Sequence, residues 1–200
     1  MIQPQNWNGV SAPTSYQGIR FRSRLEARWA IFFDQLGIEW EFEKEAFDTK
    51  FGYYLPDFFL PSLNKWFIVK GQCLQSDERR KVEDVCELTH SSAVIACGGL
   101  PSQFELDKRG LSCYRFDFIG FIRSCVDGLF SDETYLPCIC EQCGKFDFQY
   151  EGRYERNCQC TDNDKGHQSE TWKHVTIQNA LRKARGSYWD QQLKQFLPGE

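Results

Sequence analysis

Apolar residues recur at Leu25, Trp29, Phe32, Phe33 and Leu36, a spacing of three and four that predicts a helix over residues 23–36 with one face turned to a core. Ser23 followed by Glu26 forms a capping pair for its start, and Gly37 is a natural stop. Residues 38–42 then alternate apolar and acidic, the mark of a half-exposed strand. Residues 53–60 and 65–70 read as two further strands joined by the turn Pro61-Ser62-Leu63-Asn64. The second is continuously apolar from Trp66 to Val69, which predicts burial on both faces. A charged helix over 77–89 keeps Val82, Val85 and Leu88 on its inner side, and a short apolar strand over 93–97 ends at Gly98-Gly99. Another strand is expected at 112–118 and a last helix, about 171–193, carries Arg182, Lys183 and Arg185. Helix, three strands, helix, strand is an α/β arrangement, with an antiparallel hairpin beside a parallel crossover.

The breaks in this pattern divide the chain. Residues 1–15 are rich in Asn, Gln, Pro and Ser and read as a flexible arm. Asp127-Gly128 and Ser131-Asp132-Glu133 place a boundary near 127–137, so the α/β domain runs over 16–130, a cysteine-rich module over 137–165 and the final helix over 170–195. Two hundred residues with seventeen Phe, eight Tyr and six Trp suffice for a well-packed core. The formal net charge of −4 removes any global basic footprint, so contact with nucleic acid requires local positive charge. No apolar run is long enough for a membrane span and residues 1–13 show no signal-peptide segment, so a cytoplasmic protein is expected.

Ten cysteines in such a chain argue for reduced thiols and a metal site over a disulfide framework. Cys140-Glu141-Gln142-Cys143-Gly144 and Cys158-Gln159-Cys160 together offer four thiolates, the donor set of a closed structural zinc site. The alternation of Phe146, Phe148 and Tyr150 between them reads as one strand of a ribbon. Cys138 is a spare thiol able to replace one of the four. A small module with little core of its own gains its folding energy from such a metal.

The candidate chemistry lies in the hairpin. Tyr54-Leu55-Pro56-Asp57-Phe58 is followed by Trp66-Phe67-Ile68-Val69-Lys70-Gly71. This pair of strands resembles the core hairpin of the PD-(D/E)XK nuclease superfamily, and the run from Tyr16 to Ala30, with Arg20, Arg22, Arg24, Glu26 and Arg28, resembles a phage and bacterial nuclease-like subfamily with a C-terminal zinc ribbon. The resemblance implies a restriction-endonuclease-like core, a mixed sheet flanked by helices, with a small zinc-ribbon-like module and a C-terminal helix. It implies that Asp57 and Glu26 hold magnesium or manganese, that Lys70 is the catalytic lysine, and that Gln72 lies by the substrate path. The family pattern puts its second acid at position 68, beside the lysine on one strand face. Here that residue is Ile68, which neither binds a metal nor accepts a proton.

Read from the residues alone, Asp57 is equally a strand-end aspartate, Lys70 a solvated lysine and Glu26 the partner of Ser23 or Arg22. Arg20 and Arg24, in the densest basic cluster, are the candidates for phosphate contact. Three functions follow: a metal-dependent nuclease acting on nucleic acid, chiefly DNA, with a degenerate second acid; an inactive pseudonuclease that binds nucleic acid or a protein partner; or a zinc-stabilised structural protein with no nucleic-acid role.

Overall fold

The computed structural model describes residues 13–71, 75–100, 118–123, 130–140, 143–150, 174–190 and 192–199. The described residues open on a hairpin, β1 (Thr14–Tyr16) and β2 (Ile19–Phe21), which takes in the end of the arm expected over 1–15; residues 1–12 of that arm lie outside the described residues. Gln17 and Gly18 both take positive φ, 49° and 79°, the two-residue turn that matches strand twist. Helix α1 (Arg24–Gln35) follows. Its cap is the expected Ser23, whose hydroxyl accepts from the Glu26 amide at 3.1 Å. Gly37, at φ 64°, ends it.

Strand β3 (Glu41–Phe42) is shorter than expected, and a hairpin that the pattern does not reveal comes next, β4 (Phe47–Thr49) and β5 (Gly52–Tyr54). The single strand expected at 53–60 is therefore two. β5 belongs to this hairpin, and β6 (Phe58–Leu60), beyond Pro56-Asp57, belongs to the main sheet. A 3-10 turn over Pro61–Leu63 leads into β7 (Lys65–Lys70), with Asn64 left-handed at φ 49°. Helix α2 (Ser76–Thr89) crosses over to β8 (Ser92–Cys97), which runs parallel to β7.

The remaining described strands are β9 (Phe118–Arg123), β10 (Phe130–Ile139) and β11 (Phe146–Tyr150), and the main sheet has the order β11-β10-β9-β8-β7-β6-β3. Apart from β7 and β8, its neighbours are antiparallel. The expected strand at 112–118 lies outside the described residues except for Phe118. The C-terminal helix is shorter than its expected span: α3 (Val175–Gly186) stops where Ser187 turns extended, and β12 (Tyr188–Asp190) and β13 (Gln195–Leu197) form a hairpin after it. The molecule is mixed α/β, and no described helix is long and apolar enough to cross a membrane.

Alternation along β7 and β8 sorts the core into two layers. Phe67, Val69, Val94 and Ala96 face the layer holding Trp29, Phe32 and Phe33 of α1, with Ile177, Ala180 and Leu181 of α3. Trp66, Ile68, Ala93 and Ile95 face Val82, Val85 and Cys86 of α2. The boundary read at 127–137 falls inside β10, which pairs with β9 through its first five residues and with β11 through its last five. Phe148 of β11 lies 5.4 Å, ring to ring, from Phe67 of β7. Four strand spacings would separate these by about 19 Å in a flat sheet, so the β10–β11 ribbon folds back over the α1 layer. There Lys65 and Asp147 pair at 3.0 Å with both side chains buried.

Candidate active site and cysteine turn

Three elements deliver polar side chains to one place. Pro56 stiffens the approach to β6 and leaves Asp57 at its head, 3% exposed. One carboxylate oxygen, Oδ2, accepts from the Val69 amide at 2.7 Å. The other receives the guanidinium of Arg22 in an ion pair. Arg22 also pairs through Nε with Glu43 at 2.8 Å, and its backbone N–H donates to Oε2 of Glu26 at 2.9 Å. The Glu43 amide in turn donates to the Asp57 carbonyl at 2.9 Å. The capping glutamate thus bonds the residue before the cap while presenting a buried carboxylate, 6% exposed, at the start of α1.

Lys70 closes β7 and forms an ion pair with Glu78 from the first turn of α2. Its charge acts on Asp57, as does that of Glu26, so the three residues expected to carry chemistry do converge. Burial, the largest influence, pushes the Asp57 carboxyl up to about 6. The Val69 amide and Lys70 pull it back, Glu26 raises it further and Arg22 lowers it. Burial likewise raises Glu26, against the Ser23 and Arg22 contacts. Tyr54 at the end of β5 is raised first by burial and then by the nearby charges of Asp57 and Glu78. Both carboxyls are raised above their own ordinary values by burial, and the charge of Glu26 acts on Asp57.

Ile68 is fully buried beneath α2, in the layer of Val82, Val85, Cys86 and Ile95. The face that would carry the family's second acid is packed with hydrocarbon. Directly beyond it, α2 supplies Glu78 to Lys70. Glu78 precedes Val82 by one helical turn, which puts both on the side of α2 that meets the sheet. An acid in the first turn of a helix is ordinarily a solvated start, and the step to Val82 is the sequence signal that sets Glu78 apart. Arg22, Glu43 and Tyr54 carry no such signal, because chain folding alone brings them to Asp57.

The oxygen-only donor set of Asp57 and Glu26 suits magnesium or manganese. Arg22 pairs with Asp57 as folded, and among the described residues no group of three or more His, Cys, Asp or Glu is placed to hold a metal. The Arg22 side chain is half exposed, so it can leave without opening the core. Of the phosphate candidates, Arg20 on β2 and Arg24 at the head of α1 are exposed, while Gln72 lies outside the described residues.

The cysteine turn stands at the far end of β10. The Cys140 amide donates to the Lys145 carbonyl at 2.9 Å, and the Gly144 amide to the Cys140 carbonyl at 2.8 Å. Gly144, at φ 69°, provides the left-handed step that closes this loop. Cys138 and Cys140 are buried, Cys143 is exposed and none of the three is in a disulfide. Cys158 and Cys160 lie outside the described residues.

Compared with known proteins, the chain matches no protein-family model, no curated protein and no solved structure.

Proposed function

We propose that this chain is a metal-dependent nuclease of the PD-(D/E)XK type, cleaving phosphodiester bonds of nucleic acid, with DNA as its substrate. The observation that carries the reading is the convergence of Glu26, Asp57 and Lys70 from three separate elements, close enough for each neighbour's charge to act on Asp57. The succession α1, β3, β6, β7, α2, β8 supports it, being the core order of that superfamily. Asp57 and Glu26 would hold magnesium or manganese, and Glu78 offers a third carboxylate from α2 in place of the one missing at 68. A divalent cation there supplies activation of water and neutralisation of charge at phosphorus. Lys70, released from Glu78, orients the attacking water or donates to a non-bridging oxygen. The buried carboxylates exclude bulk water around the reacting group, which strengthens each of these contacts. Cys140 and Cys143 would provide half of a structural zinc site, completed by Cys158 and Cys160.

A second reading, a pseudonuclease that binds without cutting, is favoured by Arg22 seated on Asp57 and by the hydrocarbon at position 68. Cleavage of single- and double-stranded DNA and RNA in magnesium or manganese separates the two. The nuclease reading expects cleavage by the wild type that falls at least a hundredfold in Asp57→Ala and in Lys70→Ala, with folding checked by circular dichroism. Retained binding with no cleavage by any of the three proteins would establish the pseudonuclease.

A further inference from the structure

Two neighbouring helices of this acidic chain, α1 and α3, carry a group of basic residues. Helix α3 carries Arg182, Lys183 and Arg185 and has no acidic residue. On α1, Arg24, Arg28 and Gln35 share a stripe, since steps of four and seven residues return to the same helix face. Ile31, on the same stripe, is buried, and the Gln35 end closes on α3 in a cleft of about 340 Å³ lined with Thr176, Asn179, Ala180, Arg182 and Lys183. The stripe therefore marks the seam between the two helices. The one acid on the C-terminal half of α1, Asp34, is occupied by the Tyr16 hydroxyl at 2.8 Å, the Trp40 indole at 2.9 Å and Gln17 at 3.1 Å.

Within the seam, Arg28 has no acidic partner among the described residues. Its guanidinium lies 5.9 Å over the ring of Phe196 in β13. Its Nε is buried and makes no hydrogen bond. Burial and the like charge of Arg24 both work against its ionised form. No carboxylate stands within ion-pair distance of Arg24 or Arg28 among the described residues. Two neighbouring guanidinium groups without a counter-charge, one of them desolvated, are relieved by an anion, and arginine's planar fork fits phosphate. Arg24 and Gln35 are separated by about 16 Å of helix, roughly five nucleotide steps of a strand at 3.4 Å each. The Arg24 end adjoins Glu26 and Arg22.

We infer that the α1–α3 seam binds the sugar–phosphate backbone of a DNA strand, through Arg24 and Arg28 at one end and Arg182 and Lys183 at the other, and leads that strand to the carboxylates at the head of α1. Only the destination rests on the nuclease reading; the phosphate track stands on its own contacts. It makes no base contacts, so binding is independent of sequence and strongly salt-dependent.

The test uses the full chain in EDTA and a fluorescein-labelled twenty-nucleotide DNA, single-stranded and duplex, with binding followed by anisotropy from low to high NaCl. Arg28→Gln should weaken binding by about tenfold and flatten the plot of log affinity against log salt by about 0.7–0.9. Adding Arg182→Gln and Lys183→Gln should flatten it by about 2 or more. Arg80→Gln, on the opposite helix α2, should change neither. Unaltered salt slopes in the seam variants, or no DNA binding by the wild type, would overturn the track. So would equal affinity for a labelled poly-glutamate peptide, which would make the occupant an acidic protein segment. Asp57→Ala keeps the two readings apart: cleavage lost with binding and slope intact supports both, whereas a wild type that never cleaves but shows the slope changes retains the track and removes the nuclease.

Discussion

Asp57 is held at a cost. A carboxyl at about 6 in the folded chain, against about 3.9 in an unfolded one, keeps its proton better when folded. The folded state binds more protons in that window, so this group's contribution to stability is fully present below about pH 4 and is lost as pH rises through 6. At neutral pH the ionised residue destabilises the unliganded fold by about 3 kcal/mol. Asp57→Asn preserves an acceptor for the Val69 amide and carries no charge. It should raise the unfolding free energy at pH 7.5 by about 1–3 kcal/mol and leave stability at pH 4 unchanged, so that the descent between those values disappears in urea titrations across pH. A stabilising loss of a buried acid is the behaviour of a site kept for binding, since a structural carboxylate would show the reverse sign. An unchanged or lower stability in the variant at pH 7.5 would show that the Arg22 pair already offsets the burial.

On the scale of elements, β7 decides what position 68 can be. Its alternate residues enter two different layers, and Ile68 belongs to the one beneath α2. Ile68→Glu places a carboxylate among Val82, Val85, Cys86 and Ile95, while Lys70, two residues on along the same face, is already paired with Glu78. The expected outcome is a loss of about 3–5 kcal/mol, or roughly 10 °C in melting temperature, and no gain of cleavage. A well-folded variant with new metal-dependent activity would mean that α2 yields to admit the acid. The double-sided burial of Trp66 to Val69 was legible because an uninterrupted apolar run fits only a covered strand. Ser23 was legible as a cap because capping is local chemistry. The C-terminal hairpin was not: Leu181, Ala184 and Tyr188 keep helical spacing past Gly186, and only the extended backbone at Ser187 breaks it. The split at Pro56-Asp57 was hidden for the same kind of reason, since β5 and β6 each look like continuations of one apolar segment. Asp57, Glu26 and Lys70 could be singled out by motif spacing and Glu78 by its helical step to Val82, whereas Arg22 and Glu43 reach Asp57 only through tertiary packing.

Across the whole molecule, the β10–β11 ribbon binds the distant cysteine turn to the strand that carries Lys70. The buried Lys65–Asp147 pair fastens β7 to β11 at 3.0 Å, beside the Phe67–Phe148 contact. Burial raises the Asp147 carboxyl, while Lys65 and the Phe148 amide draw it down. Asp147→Ala strands the lysine charge in the interior and should cost about 3–5 kcal/mol, whereas Lys65→Met with Asp147→Leu should recover most of that loss. A double-mutant cycle by urea unfolding reads the difference, and a single variant that unfolds no more easily than wild type would mean the lysine finds solvent instead. The packing of α3 against α1 reaches further still along the chain. On the ribosome, Trp29, Phe32 and Phe33 are made roughly 145 residues before Ile177 and Leu181, which complete their layer. At roughly 5–20 residues per second, that aromatic face waits on the order of ten seconds for its cover. Until that cover arrives, it is the nascent chain's adhesive surface.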